Sequence, residues 1–276
     1  MIKLTENILT KTIKKRPVDS YKGSYGKVVL IGGNRNFGGA IIMATLAAVS
    51  AGAGLVTTIT DNTNQSSLHN WVPEAMFADI TDFTSTTALI KSATVIVIGP
   101  GLGTTNHSLA VLNLILKIVN SNQTLVIDGS ALTLIAQHHI SLPKSSKVIL
   151  TPHQMEWQRL SGISINDQTN SELNQQVVQQ LAATVVLKSA HTQIYTNQQV
   201  YQNTSGTPAQ ATGGMGDTLA GMIGGFCAQF NNQTNATLAA VYAHSAIADE
   251  LGQQQYVVLP HQISQKLPNF MKQYEN

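Results

Sequence analysis

The run Lys27-Val28-Val29-Leu30-Ile31-Gly32-Gly33-Asn34-Arg35-Asn36-Phe37-Gly38-Gly39-Ala40 decides the fold. Its opening is short, apolar and rich in β-branched residues, as a strand requires. Glycines and asparagines then make a turn, and Ala40 to Ser50 continues at helical period. The alternation recurs along the chain. Further strands are expected at Leu55 to Thr60, Thr94 to Ile98, Thr124 to Ile127, Lys147 to Leu150 and Val185 to Leu187. Several are apolar throughout, which suits parallel strands covered on both faces. The expected building block is therefore the βαβ unit and the expected class α/β.

Ile194 to Asn203 reads as a hairpin around Asn197-Gln198-Gln199, and Gly-rich helices from Asp217 and from Thr237 follow it. Asp61 to Asn70 is the most loop-like segment, open to reading as a mobile flap or as an ordinary surface connection. With no repeat and no long linker, a single domain over residues 1–276 is expected. The small-residue stretches Gly221 to Ala228 and Ala236 to Ala248 suit close packing, either between subunits or within one.

A chain of 276 residues that is 43% hydrophobic can bury a large core. Its 16 basic and 14 acidic residues give a net charge of +2, so the footprint of a nucleic-acid binder is missing. The one cysteine, Cys227, excludes an intramolecular disulfide and is expected to be a buried thiol. No apolar run follows the first charges, and no window approaches the roughly 18 apolar residues of a membrane span. A cytoplasmic protein is expected.

The sharpest chemical signal is Ala211-Thr212-Gly213-Gly214-Met215-Gly216-Asp217, directly before a helical pattern. A Gly-rich turn opening a helix offers unpaired amides and the positive end of the helix dipole to phosphate oxygens. Asp217 at its mouth is placed to accept a proton from an attacking hydroxyl, or merely to cap the helix. Gly26-Lys27 lacks the following Ser or Thr of a P-loop, and the Gly32 to Ala40 turn lacks G-x-G-x-x-G spacing. These absences argue against a Walker-type ATPase and a hydride-transferring dinucleotide enzyme.

Other residues gather at expected strand ends. Gly38, Gly39 and Ala40 admit either a close ligand or tight packing, and Gly99-Pro100-Gly101-Leu102-Gly103 follows a strand where open α/β sheets bind ligands. Asp128 ends one strand. Thr151-Pro152-His153-Gln154-Met155-Glu156 follows the next, with His153 a candidate substrate partner and Glu156 a candidate magnesium ligand through water. The bland alternative makes Pro152 a first-turn residue and Glu156 a dipole partner. Lys188 opens Lys188-Ser189-Ala190-His191-Thr192, where a cation can meet phosphates or stand solvated. The other histidines, including His138-His139 and His244, lack zinc-site spacing.

In order, Lys22-Gly23-Ser24-Tyr25-Gly26-Lys27, Gly32-Gly33 to Ala40, Ala51-Gly52-Ala53-Gly54-Leu55-Val56, the Gly99 to Gly103 turn, Asp128, Thr151-Pro152-His153 with Glu156, Leu187-Lys188 and Thr212 to Asp217 form a family pattern. The chain resembles the ADP-dependent NAD(P)H-hydrate dehydratases from about residue 20 to residue 250. The resemblance implies a ribokinase-like three-layer α/β/α fold with a mostly parallel central sheet. It also implies dehydration of the S epimer of hydrated NADH or NADPH, with ADP as phosphoryl donor giving AMP and phosphate, and magnesium as the ion. Asp217 would be the catalytic base. Ala40, Gly103, His153 and Asp217 match positions that contact the hydrated cofactor. Lys188, Ser189, Ala190, His191, Thr192 and Gly216 match positions that contact the adenine nucleotide, and Gly213, Gly214 and Met215 complete the phosphate turn. A homo-tetramer and an epimerase acting as a separate protein or domain are further implications.

Two departures stand out. Asp128-Gly129-Ser130-Ala131-Leu132 replaces the family's usual Asp-Ala-Asp-Ala-Leu, and Ser189 replaces its usual Gly. No role is carried over for the missing second carboxylate. The nearest rival reading is a small-molecule kinase of the same fold that phosphorylates an alcohol with ATP. A non-catalytic nucleotide-binding protein would keep the glycine turns but need Asp217 only as a cap.

Overall fold

In the computed structural model, which describes residues 1–144 and 147–276, ten strands form one sheet. In chain order they are β1 (Ile2–Lys3), β2 (Lys27–Ile31), β3 (Leu55–Thr60), β4 (Met76–Asp79), β5 (Val95–Ile98), β6 (Thr124–Ile127), β7 (Lys147–Leu150), β8 (Thr184–Leu187), β9 (Gln193–Tyr195) and β10 (Val200–Gln202). Their spatial order is β1-β10-β9-β8-β7-β6-β5-β2-β3-β4. From β8 across to β4 every pairing is parallel. The expected hairpin is β9 and β10, antiparallel to each other, with β9 also antiparallel to β8.

The two-residue period of the strands feeds two cores. Val28, Leu30, Val95, Val97, Val126, Ile149 and Val186 face one layer. Val29, Ile31, Ile96, Ile98, Leu125, Ile127, Leu150 and Val185 face the other. The first layer holds α1 (Asn7–Thr12), α2 (Gly38–Ser50), α3 (Gln65–Trp71), α9 (Met215–Gln229), α10 (Gln233–Gly252) and α11 (Pro260–Lys272). The second holds α4 (Phe83–Ser92), α5 (Asn106–Ile118), α6 (Gly129–His138), α7 (Gln154–Ser161) and α8 (Ser171–Leu181). Burying each large aliphatic side chain contributes about 1.5–3 kcal/mol, so both faces of the sheet hold the fold.

α2 and α9 lie nearly backbone to backbone. A Cβ built on Gly221 would sit 2.0 Å from the Ala44 carbonyl oxygen, and one on Gly225 2.6 Å from the Ala51 Cβ. The small residues of α9 and α10 thus pack within the chain. Cys227 is buried as expected, its thiol pushed up to about 12 by burial.

The segment from Asp61 to Asn70 corrects the loop expectation. It forms a single 3-10 turn over Asn62–Asn64 and then α3, whose Leu68 is fully buried. Asp61 accepts the Thr63 amide at 2.9 Å, and the Asn64 amide group donates to the Gly33 carbonyl and to Thr60 Oγ1. These side-chain bonds, invisible to an apolar-period reading, set the 3-10 turn and pin the chain that enters α3, which itself has no side-chain cap. The edge strand β4 was also missed. Met-Phe-Ala-Asp has no β-branched residue, and its one partner is β3.

Candidate active site

The C-terminal ends of β8, β7, β6, β5 and β2 stand side by side, and each delivers a residue singled out from the sequence. In order these are Lys188, His153, Asp128, Gly103 and Ala40. The first turn of α9 brings Asp217 over this edge.

Asp128, 2% exposed, is the fixed point. Its Oδ1 accepts the Thr151 hydroxyl at 2.7 Å and the Lys188 ammonium at 2.8 Å. Burial alone would depress the Lys188 ammonium. The carboxylates of Asp128, Glu156 and Asp217 outweigh it and hold the ammonium above its ordinary value. A Cβ on Gly216 would lie 3.0 Å from Lys188 Nζ, so the cation sits directly against the first turn of α9. Lys188 is therefore a held, charged group with 19% of its side chain exposed, which answers the solvated alternative.

α9 begins at Met215, two residues before the expected start. Gly214 is its N-cap in the left-handed region at φ 94°, and a Cβ there would meet the Met43 side chain at 2.4 Å. Asp217 is thus the third helical residue, not the cap. Among the described residues the amides of Gly213, Gly214, Met215 and Gly216 have no acceptor. Four open amides and one ammonium make an anion cradle beside a carboxylate. Burial, reinforced by the Asp128 charge, pushes the Asp217 carboxyl up to about 6, with Lys188 pulling the other way.

His153 caps α7. Its Nδ1 accepts the amides of Met155 at 3.1 Å and Glu156 at 3.2 Å, so the proton of the neutral ring belongs on Nε2. Burial and then Lys188 lower its pKa, which keeps the ring neutral. The side chain is 54% exposed, and Nε2 is a donor at the mouth of the site. Glu156 returns the capping bond, its Oε2 accepting the His153 amide at 2.8 Å. Burial pushes the Glu156 carboxyl up to about 7, against the pull of Lys188. Pro152 precedes the cap and lies outside the first turn, a correction to the alternative that placed it there; its carbonyl accepts the Lys188 amide.

The other expected residues line the same ledge. Gly103 donates its amide to Ser130 Oγ at 3.0 Å, so the neutral hydroxyl at 130 ties the turn after β5 to the start of α6. Gly38 and Gly39 separate the two readings of their turn. A Cβ on Gly38 would strike Asn64 Oδ1 at 2.1 Å, whereas one on Gly39 would meet nothing within 4 Å. Gly38 serves packing and Gly39 leaves open space beside half-buried Ala40. Ser189, Ala190 and His191 are exposed on the rim beyond β8, where Thr192 Oγ1 donates to the Ser189 carbonyl at 3.2 Å.

Sequence reasoning passed over His244. It is buried beside the Met215 backbone, its pKa pushed down to about 4 by burial, and it backs the first turn of α9 as a neutral ring. Its sole signal is its place on an otherwise Ala-rich helix. The pattern residues Lys22 to Gly26 and Gly52 to Gly54 lie at the opposite end of the sheet. There Gly54 packs against the Lys22 carbonyl and Gly26 against that of Ala228, so they serve architecture. A cavity of about 1110 Å³ at that end is lined by Arg16, Tyr25 and Gln229 among others, far from Asp217.

Among the described residues no three His, Cys, Asp or Glu side chains gather as a metal cage, and no helix is long and apolar enough to cross a membrane.

The NAD(P)H-hydrate dehydratase family model matches residues 28–269. The chain is 55% identical over 271 residues to the ADP-dependent (S)-NAD(P)H-hydrate dehydratase of Lactiplantibacillus plantarum, covering 98% of this chain and 97% of that one. A ribokinase-like superfamily protein from Enterococcus faecalis superposes with a TM-score of 0.97 at 49% identity, covering 99% of this chain and 96% of that one. The Bacillus subtilis ADP/ATP-dependent NAD(P)H-hydrate dehydratase, co-crystallised with ATP and Mg2+, gives a TM-score of 0.87 at 29% identity over 98% of both chains. The fold is thus the ribokinase-like α/β/α architecture, and with it the chain belongs to the NAD(P)H-hydrate dehydratase family.

Proposed function

We infer that the protein repairs hydrated nicotinamide cofactors, dehydrating the S epimer of hydrated NADH or NADPH while ADP is converted to AMP and phosphate. One observation carries the chemistry. Asp217, its carboxyl near 6, stands in the first turn of a helix preceded by open amides and beside the Lys188 ammonium. Such a carboxylate is ionised at neutral pH yet basic enough to take a proton.

The ring hydroxyl is a poor leaving group as hydroxide and a good one as phosphate. Asp217 takes the hydroxyl proton as its oxygen bonds to the terminal phosphorus of ADP, and the bridging oxygen departs with AMP. The Gly213 to Gly216 amides and Lys188 hold the charge on the transferred phosphoryl group. The ring nitrogen then pushes out phosphate, and loss of a proton from the neighbouring carbon leaves the reduced nicotinamide. His153 Nε2 orients the substrate, and Gly103 and Ala40 line its path.

Lys188 to Thr192 hold the adenine nucleotide. Magnesium fits as an ion carried by the nucleotide phosphates, because such sites need one or two carboxylates and not a cage. Glu156 spends one oxygen on the His153 cap, and the other, 3.6 Å from His153 Nε2, is the one that would meet that ion through water. Bound magnesium would offset phosphate charge. The protein works in the cytoplasm as a single domain and as a homo-tetramer, and an epimerase acting as a separate protein or domain supplies the S epimer.

Product stoichiometry tests this reading. Purified protein given hydrated NADH, ADP and magnesium should yield one AMP and one phosphate per NADH formed. Accumulation of a stable phosphorylated dinucleotide would instead make the protein a kinase.

A further inference from the structure

Phe37 is 60% exposed, an unusual place for a phenylalanine in a chain that buries Phe226 and Phe270 completely. Its backbone is held in place. Its amide donates to the carbonyl and to Oδ1 of Asn34, both at 3.1 Å, and the Asn34 amide donates to the Gly101 carbonyl at 2.7 Å. The Phe37 Cβ would approach a Cβ on Gly101 to 3.1 Å, and the Ala40 Cβ would approach it to 3.0 Å. Phe37 therefore stands at the N-cap position of α2, on a turn pinned to the neighbouring site turn, next to the open space at Gly39.

Position along the sheet edge says which ligand part meets it. The reacting ring must reach Asp217, beside Lys188 and Asp128 at the ends of β8 and β6. Phe37 follows β2, two strands beyond β6, or roughly 10 Å along the edge at about 4.8 Å per strand. The adenine of ADP is assigned to the rim beyond β8, on the other side of the phosphoryl centre. A dinucleotide with its nicotinamide at Asp217 has one aromatic group left to reach β2, its own adenine.

We propose that Phe37 is the stacking platform for the adenine of the hydrated dinucleotide. The proposal rests on the dehydratase reading and adds a subsite to it. A flat, exposed ring carried on a pinned backbone is suited to a base, whose two π faces need no directed hydrogen bond.

The test compares hydrated NADH with hydrated reduced nicotinamide mononucleotide, which lacks the adenine, as substrate or as competitive inhibitor. Phe37→Ala should raise KM for hydrated NADH on the order of 10-fold or more, with kcat within about 2-fold, the scale of base–aromatic stacking. The truncated compound should bind both proteins equally, and Phe37→Tyr should restore the KM. Equal weakening of both compounds, or no change in either, would overturn the proposal. Failure of the unaltered protein to turn over hydrated NADH at all would overturn the dehydratase reading first, and this subsite with it.

Discussion

Lys188 Nζ lies 2.8 Å from Asp128 Oδ1, and that same oxygen accepts the Thr151 hydroxyl at 2.7 Å. One buried carboxylate oxygen thus fixes the cation that faces the first turn of α9. Replacing Lys188 by Met removes that cation and leaves Asp128 buried without its ion partner. Breaking such a pair costs about 3 kcal/mol. Denaturant unfolding should show a loss of this size, and ADP binding measured by calorimetry should weaken. Replacing Asp128 as well, by Asn, should recover part of the stability and none of the binding.

Asp217→Asn keeps the shape of the first turn and removes the base. Turnover should fall by roughly 10²-fold or more, the scale of positioned acid–base help, while nucleotide affinity stays within a few-fold. Near-normal turnover would reduce Asp217 to a structural residue.

The pH dependence follows from the same group. Asp217 must be ionised to act, so kcat/KM should fall about tenfold per pH unit below about 6 and level off above it. Stability runs the opposite way. The folded pKa of about 6 exceeds the ordinary 3.8, so the folded chain keeps a proton that the unfolded chain has released. The stabilisation is complete below pH 3.8 and is lost as pH rises through 6. Asp217→Asn, neutral throughout, should be more stable than the unaltered protein at pH 8 by ~1–3 kcal/mol after screening, and near equal at pH 4. Melting curves at the two pH values decide it.

Two glycine substitutions separate packing from ligand approach. Gly221→Ala forces a methyl against the Ala44 carbonyl and should destabilise by about 1–3 kcal/mol. Gly39→Ala meets no neighbour and lies in the first turn of α2, so stability should hold or rise by up to about 1 kcal/mol. KM for the hydrated cofactor should nonetheless increase, because the methyl enters the space left for it. A normal KM would show that nothing approaches there.

The inner parallel strands were legible because their apolar, β-branched runs signal burial on both faces, and β2, β3, β6 and β7 begin and end where the sequence places them. α3 was illegible because its segment is short and polar, and the side-chain bonds of Asp61 and Asn64 that set the turn before it leave no periodic signal. Asp217, Lys188 and His153 stood out as polar residues at strand or turn ends. What no sequence reading supplies is their mutual arrangement. The Asp128 oxygen shared by Thr151 and Lys188 and the neutral His244 behind Met215 come from residues far apart in the chain.

The most direct measurement is absorbance at the reduced-nicotinamide band after purified protein and magnesium are mixed with hydrated NADH, with ADP, with ATP or with no nucleotide. The account predicts that the absorbance returns with ADP, in step with phosphate release, and stays flat without a donor. Folded protein that binds ADP yet restores no absorbance with either nucleotide would contradict it.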